Sequence, residues 1–132
     1  MSEYSIPDDS LYTEQDEWIR QDGEKVYVGI TDFAQQQLGD IVFVELPAVG
    51  STINKDETYG VIESVKAVSD LYAPVTGTVL AVNGELADGP ERINEDCYGD
   101  GWLLEIEPTH EDEQDTLLSC VAYKKSIDER DA

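Results

Sequence analysis

Lys66 is the residue whose type and position in the sequence most clearly indicate a chemical role. It is the only cation between Lys55 and Arg92. Apolar residues lead into it and away from it, and the residues between are small or polar, so the stretch predicts a tight β-hairpin with the lysine at or near its tip. An amine on a rigid turn is what a lysine-modifying enzyme needs, and swinging-arm cofactors are attached to such amines as amides.

Two acidic residues lie close to Lys66, with Glu63 three positions before it and Asp70 four positions after it. An isolated lysine is ordinarily a solvated side chain without a chemical function. Here the acidic neighbours would let a modifying enzyme distinguish this lysine from the few others in the chain. The pattern therefore favours a covalent tether at Lys66 over a solvated lysine.

Residue types that support catalysis or metal binding form no recognisable pattern elsewhere. His110 is the only histidine and lacks an obvious serine or cysteine partner, and Cys97 and Cys120 have neither zinc-ligand spacing nor the pattern of a disulfide framework. No glycine-rich phosphate-binding loop occurs. Carboxylates are so numerous that no pair stands out as a general acid and base. The sequence predicts neither a catalytic site nor a metal site.

The chain is strongly negative, since it has 30 acidic residues and only 8 basic ones, which gives a net charge of −22. Nucleic-acid binding is excluded, since contacts to phosphates require clustered lysine and arginine. Two explanations of the acidity remain open: a docking surface for basic partners, or adaptation to a saline cytoplasm in which salt screens the repulsion. The acids are spread through every segment, which favours adaptation.

No apolar run in the sequence is long enough to span a bilayer, and the acidic start does not resemble a signal or transit peptide. The two sparse cysteines fit a reducing compartment. We therefore expect a cytoplasmic protein that does not enter a membrane.

The chain has the length of one domain over residues 1–132, and its segments are mainly β. Residues 1–13 are predicted to be a polar N-terminal arm. Asp22-Gly23 predicts a hairpin turn, and Thr31 is positioned to cap a short helix that ends at Gly39. Residues 41–46 form the most apolar run and predict a buried strand. Short strands separated by turn residues follow through residue 82, which indicates a small antiparallel sandwich or flattened barrel.

The C-terminal part of the sequence changes from a β pattern to a helical one. Residues 102–106 predict the last strand. Apolar residues at helical spacing and acidic residues near the expected start then predict a C-terminal helix over residues 110–126 that packs on the sheet. Residues 127–132 are strongly charged and predict a frayed tail.

Four ordered segments resemble the glycine cleavage system H protein family. Residues 63–75, around Lys66, are similar to its lipoylation segment, and residues 28–35, 38–47 and 93–102 are similar to other family segments in the same order. The resemblance covers roughly residues 12–125, nearly the whole expected domain.

The resemblance implies a mainly β, lipoyl-type barrel-sandwich hybrid with short helices and a C-terminal helix. It implies lipoic acid on Lys66 as an amide, Glu63 as a recognition residue for lipoylation, and Glu17 and Asp70 in a cleft that holds the aminomethyl-lipoyl arm. The family is a non-catalytic, monomeric carrier. Its implied partners are the pyridoxal-phosphate glycine decarboxylase, the tetrahydrofolate-dependent aminomethyltransferase, dihydrolipoyl dehydrogenase and a lipoate-attaching enzyme.

Three alternatives stay open at this point. A biotin carrier usually has methionines beside its lysine, and a lipoyl module of a 2-oxoacid dehydrogenase usually has aspartate before it, whereas Val65 and Ala67 flank Lys66 here. The third alternative is an H-like protein that relays lipoate or serves only as an interaction module. The sequence also departs from the family pattern at three positions, which are Asp16, Phe33 and Cys97.

Overall fold

The computed structural model describes residues 4–131, which form two antiparallel sheets and a few short helices. The strands are β1 (Leu11–Tyr12), β2 (Glu17–Asp22), β3 (Lys25–Ile30), β4 (Ile41–Glu45), β5 (Thr52–Ile53), β6 (Thr58–Ser64), β7 (Val68–Tyr72), β8 (Gly77–Val82) and β9 (Leu104–Pro108). Six of them form the larger sheet in the order β1-β2-β3-β9-β8-β5, and three form the smaller one in the order β4-β6-β7. The predicted mainly β architecture is confirmed.

The helices are short and lie between or after the strands. They are α1 (Asp32–Leu38), α2 (Arg92–Glu95) and α3 (Cys120–Asp131), with 3₁₀ turns at Gly84–Leu86 and Glu111–Thr116. Within residues 4–131 no helix is long and apolar enough to cross a membrane.

The principal core lies between the two sheets, because alternate residues of each strand point inward. Side chains from both sheets are almost completely buried there, among them Val28, Ile62, Leu71, Val79 and Ile106. This continuous apolar core holds the β6–β7 hairpin against the larger sheet.

Helix α1 begins and ends where the sequence predicts. The hydroxyl of Thr31 accepts a hydrogen bond from the backbone N–H of Ala34 at 3.2 Å, which caps the first turn. Gly39 ends the helix with φ at +79°, a conformation that a residue with a Cβ rarely adopts. Local hydrogen bonding and backbone conformation therefore set both ends of α1.

The prediction that residues 41–46 form a buried strand is wrong for most of its length. Ile41 is buried, but Val42 and Phe43 are 52% and 48% exposed. The pairing of β4 with β6 shifts between Ile41 and Phe43, which is a β-bulge on an edge strand. A bulge breaks the inward–outward alternation, so an apolar run can point two consecutive side chains at solvent.

The predicted helix over residues 110–126 is wrong at its start, whereas residues 120–126 are helical and belong to α3. Its acidic start is a 3₁₀ turn, because the Glu113 carboxylate accepts hydrogen bonds from the backbone N–H and hydroxyl of Thr76 at 2.6 and 2.8 Å. Leu118 is extended, since its backbone pairs with that of Tyr12 in both directions. Only then does α3 begin, so the α-helix starts ten residues later than the pattern indicates.

The predicted frayed tail over residues 127–132 and polar arm over residues 1–13 are corrected together, because described residues near the two ends of the chain pack against each other. Helix α3 continues through Asp131, and Ile127 within it is fully buried. From the other end, Ile6 is buried and Tyr12 stacks on Tyr123 with ring centroids 4.7 Å apart. The ends form a second apolar cluster, while residues 1–3 and 132 lie outside the described residues.

Candidate functional site

Lys66 lies in the tight turn that joins β6 to β7, as the sequence predicts. The backbone N–H of Ser64 donates to the carbonyl of Ala67 at 2.8 Å and closes the turn. The Ser64 hydroxyl accepts from the backbone N–H groups of Lys66 and Ala67 at 3.3 and 3.1 Å. These bonds hold the lysine backbone in one geometry while its side chain stays exposed.

The turn rests on the loop that follows α1. The backbone N–H of Val65 donates to the carbonyl of Asp40 at 3.0 Å. The side chain of Asn94 holds this loop in place, because it donates a hydrogen bond to the carbonyl of Gly39 and accepts one from the backbone N–H of Ile41. A Cβ on Gly39 would come within 3.5 Å of Cε of Lys66, so the lysine stem lies over a position without a side chain. The turn that carries the Lys66 amine is therefore held in a fixed position by the loop after α1.

A cavity of about 160 Å³ opens between α1 and β7, beside the hairpin. Three carboxylates contribute to its wall: Asp16, Glu17 and Asp70. The structure therefore brings Glu17 and Asp70 together, whereas Glu63 is not among the lining residues. The apolar part of the wall consists of Ile30, Ala34, Leu38, Ile62 and Leu71.

Glu17 is the buried acid of this cavity, with only 1% of its surface exposed. One carboxylate oxygen accepts from the Tyr59 hydroxyl at 2.8 Å and the other from the backbone N–H of Tyr72 at 2.7 Å. Burial raises the pKa of Glu17 to about 8, and the two hydrogen bonds oppose that rise without cancelling it. The Asp70 side chain, by contrast, is exposed to solvent.

Asp16 is a wall residue that sequence reasoning did not assign to the cavity. Its carboxylate accepts from both terminal nitrogens of Arg130, at 2.6 and 3.1 Å, and from the Tyr123 hydroxyl at 2.9 Å. The Arg130 guanidinium also lies 5.0 Å from the centre of the Phe33 ring. These partners are more than a hundred residues from Asp16 in the chain, and no sequence pattern links them.

The arrangement suits covalent attachment followed by retention of a small cation. The exposed amine of Lys66 is a nucleophile that can form an amide, and the cavity combines an apolar wall with acidic side chains. Within the part of the chain that the structure describes, no group of three or more metal-binding side chains is arranged around a metal position.

Comparison with known proteins identifies the family. The family model described as glycine cleavage H-protein matches residues 10–130. The chain belongs to this family. The glycine cleavage system H protein of Listeria monocytogenes serotype 4a is 56% identical over 124 residues, covering 94% of this chain and 99% of that protein. The corresponding protein of Anaeromyxobacter sp. strain K is 52% identical over 126 residues, covering 96% and 98%.

A solved structure of an H protein has the same fold. The crystal structure of a glycine cleavage system H protein from Mycobacterium marinum superposes with a TM-score of 0.86 at 41% identity, covering 93% of this chain and 99% of that one. The lipoyl-type fold implied by the sequence resemblance is confirmed. As an H protein, the chain is a non-catalytic lipoyl carrier subunit in glycine cleavage, and its partners lie within that system.

The three residues that depart from the H-protein pattern, Asp16, Phe33 and Cys97, each make defined contacts in the structure. Asp16 and Phe33 both contact Arg130, so they form one connected group with α3. Cys97 is buried, and its backbone carbonyl accepts a hydrogen bond from the indole N–H of Trp18 at 3.0 Å. Burial raises the pKa of the Cys97 thiol to about 12, so this thiol stays protonated at neutral pH.

Proposed function

We propose that Lys66 carries lipoic acid as an amide and that the chain shuttles the aminomethyl group of glycine between the enzymes of the cleavage system. Two observations support the proposal: Lys66 is exposed on a braced turn, and the strands of the same hairpin line a cavity whose wall includes Asp70 and Glu17. A lipoyl amide would supply a disulfide that accepts the methylene carbon of glycine, with its bonding electron pair, as CO₂ leaves. The S–S bond would break, one sulfur would bond the carbon, and the other would leave with the S–S electron pair and take up a proton.

The residues of the chain present, retain and shield this group. Ser64 fixes the turn that presents Lys66, and Glu63 marks the hairpin for the lipoate-attaching enzyme. Asp70 attracts the cationic amine through its charge, and Glu17 closes the inner end of the cavity. The apolar wall limits the access of water, which would otherwise release the carried carbon as formaldehyde.

The proposed partners act in turn on the carrier. The pyridoxal-phosphate glycine decarboxylase loads it, the tetrahydrofolate-dependent aminomethyltransferase takes the carbon and releases ammonia, and a flavin dihydrolipoyl dehydrogenase reoxidises the dithiol. We propose that the carrier acts as a cytoplasmic monomer.

Substitution of Lys66 by arginine tests the attachment. We expect intact mass spectrometry to show one lipoyl group on the wild type after lipoate-replete expression and none on Lys66→Arg. Lys125→Arg is the matched control, because Lys125 is an exposed lysine on α3. An unmodified wild type, or a biotinyl mass increase, would contradict the proposal.

Reconstitution with the glycine decarboxylase tests the shuttling role. The lipoylated wild type should support exchange of the glycine carboxyl carbon with bicarbonate, whereas Lys66→Arg should not. A protein that is lipoylated but supports no exchange would instead be a lipoate relay.

A further inference from the structure

Asp16 is an acid of the cavity wall whose charge is balanced by a residue outside that wall. It lines the cavity together with Glu17 and Asp70. Both of its carboxylate oxygens accept hydrogen bonds from Arg130, at 2.6 and 3.1 Å, and one of them also accepts from the Tyr123 hydroxyl at 2.9 Å. Arg130 itself is not one of the residues that line the cavity among those the structure describes. The acid therefore belongs to the wall, whereas its counter-charge is supplied by α3.

Both members of this ion pair are held by further contacts. The Arg130 guanidinium lies 5.0 Å from the centre of the buried Phe33 ring. The backbone N–H of Asp16 donates to the carbonyl of Thr13 at 3.1 Å, and its carbonyl accepts from the N–H of Thr31 at 3.0 Å. Asp16 has φ at +68°, a conformation that persists only where surrounding contacts hold it. The two charges therefore meet in a defined geometry beside the cavity.

The other groups near Asp16 add little charge to this part of the wall. Burial raises the pKa of Glu17 to about 8, so this acid is mostly protonated at neutral pH. Burial also raises the pKa of the Tyr123 hydroxyl, which therefore donates to Asp16 without carrying a charge. None of the described residues that line the cavity is a lysine, an arginine or a histidine. The balance between Asp16 and Arg130 therefore determines how much negative charge the wall presents here.

We infer that Arg130 is a positioning residue that, through Asp16, limits how firmly the cavity holds the cationic amine of the loaded arm, an inference that rests on the proposed function. Its guanidinium balances the Asp16 carboxylate, so that carboxylate attracts the amine only weakly. Without Arg130, the unbalanced carboxylate would attract the amine more strongly and keep the arm in the cavity for longer. A carrier must release its cargo as well as protect it, and the ion pair sets the compromise between the two.

Loss of the carried carbon to water measures this retention. The lipoylated protein is loaded with glycine by the decarboxylase, separated from that enzyme and incubated without the aminomethyltransferase. Water then adds its oxygen to the carbon, and the C–S and C–N bonds break with their electron pairs. The sulfur takes a proton to become a thiol, the nitrogen leaves as ammonium, and the carbon leaves as formaldehyde. An arm held in the apolar cavity is shielded from water, so stronger retention gives slower release of formaldehyde.

The two halves of the ion pair should change this rate in opposite directions. Arg130→Gln should release formaldehyde about five-fold more slowly than wild type, because it leaves the Asp16 charge unbalanced. Asp16→Asn should release it about five-fold faster, because the remaining guanidinium repels the amine, and asparagine tolerates the left-handed backbone of this position. The double variant and Arg130→Lys should both stay close to wild type. Lys124→Gln removes an exposed charge from α3 and is the matched control, which should also match wild type.

A purely structural ion pair predicts a different result, because either single variant would then loosen the wall and speed the loss. Misfolding also speeds the loss, so it does not explain a slower release from Arg130→Gln. The dihydrolipoyl arm has no amine, and dihydrolipoyl dehydrogenase should therefore reoxidise Arg130→Gln at the wild-type rate. Unchanged or faster release from Arg130→Gln, or an equal slowing of reoxidation, would overturn the inference. A wild type that accepts no lipoate or cannot be loaded would contradict the proposed function instead.

Discussion

Glu17 is fully buried, and both of its hydrogen-bond partners are donors. Tyr59 and the backbone N–H of Tyr72 donate to its oxygens, yet the loss of hydration dominates and raises its pKa. Burial and the nearby Glu17 charge likewise raise the pKa of the Tyr59 hydroxyl, so that group stays protonated. Glu17 is therefore the residue whose protonation most directly links the cavity to pH.

Glu17→Gln is predicted to change the pH dependence of stability. The pKa of Glu17 rises from 4.5 to about 8 on folding. The stabilising contribution of this group to the free energy of unfolding is therefore fully present below pH 4.5 and is lost as the pH rises through 8. Glutamine stays neutral throughout. Urea unfolding at pH 5, 7 and 9 measures this. The free energy of unfolding of the variant, relative to that of wild type, should increase by about 2 kcal/mol or more from pH 5 to pH 9.

Glu14→Gln is the control for this experiment, because Glu14 is an exposed acid in the turn before β2. Its free energy of unfolding should stay at a constant offset from wild type. Parallel curves for wild type and Glu17→Gln would show that Glu17 has the same proton affinity in the folded and unfolded states.

Helix α3 is tied to the cavity wall through a single cluster of side chains. Arg130 forms a two-pronged ion pair with Asp16, and Tyr123 donates to the same carboxylate. Asp16 has φ at +68°, a conformation that is uncommon for a residue other than glycine. The helix thus helps to keep the turn before Glu17 in place.

A double-mutant cycle on Asp16 and Arg130 is predicted to be non-additive. Asp16→Asn and Arg130→Gln should each destabilise the protein, and the double variant should be little worse than the worse single one. The side chains are 18% and 38% exposed, so solvent screens the pair and the coupling energy should be only about 0.5–1 kcal/mol.

Lys124→Gln removes a positive charge from the exposed surface of the same helix and serves as the control. Its effect should add to that of Asp16→Asn. Additive effects for the Asp16 and Arg130 variants in thermal and urea unfolding would show that the ion pair does not hold the helix.

The whole molecule carries far more negative charge than its ion pairs can offset. Within the described residues only two ion pairs occur, Lys25 with Glu105 and Arg130 with Asp16. Most of the 30 acidic residues therefore repel one another in the folded state. Salt shortens the range of this repulsion from about 10 Å at 0.1 M to about 3 Å at 1 M.

The melting temperature is predicted to rise steeply with KCl. Between 0.05 and 2 M KCl we expect an increase of about 10 °C, which for a domain of this size corresponds to roughly 3 kcal/mol. Differential scanning calorimetry measures it. A variant with exposed acids such as Glu24 and Glu57 replaced by glutamine should respond less, and a flat response of the wild type would count against adaptation to salt.

The sequence by itself determined the local features that depend on neighbouring residues. The Asp22-Gly23 turn, the capped helix after Thr31 and the lysine turn follow from backbone conformation and short-range hydrogen bonds. Four ordered segments around them were enough to indicate the family, because each combines specific residue types at fixed spacing.

Only the tertiary structure decided which of these features meet and which are buried. The exposure of Val42 and Phe43 depends on a bulge against β6, and the late start of α3 depends on Glu113 reaching Thr76 and on Leu118 pairing with Tyr12. Asp16 joins Arg130 across the length of the chain. Periodicity describes neighbours along the chain, whereas burial, pKa and the walls of a cavity depend on distances in space.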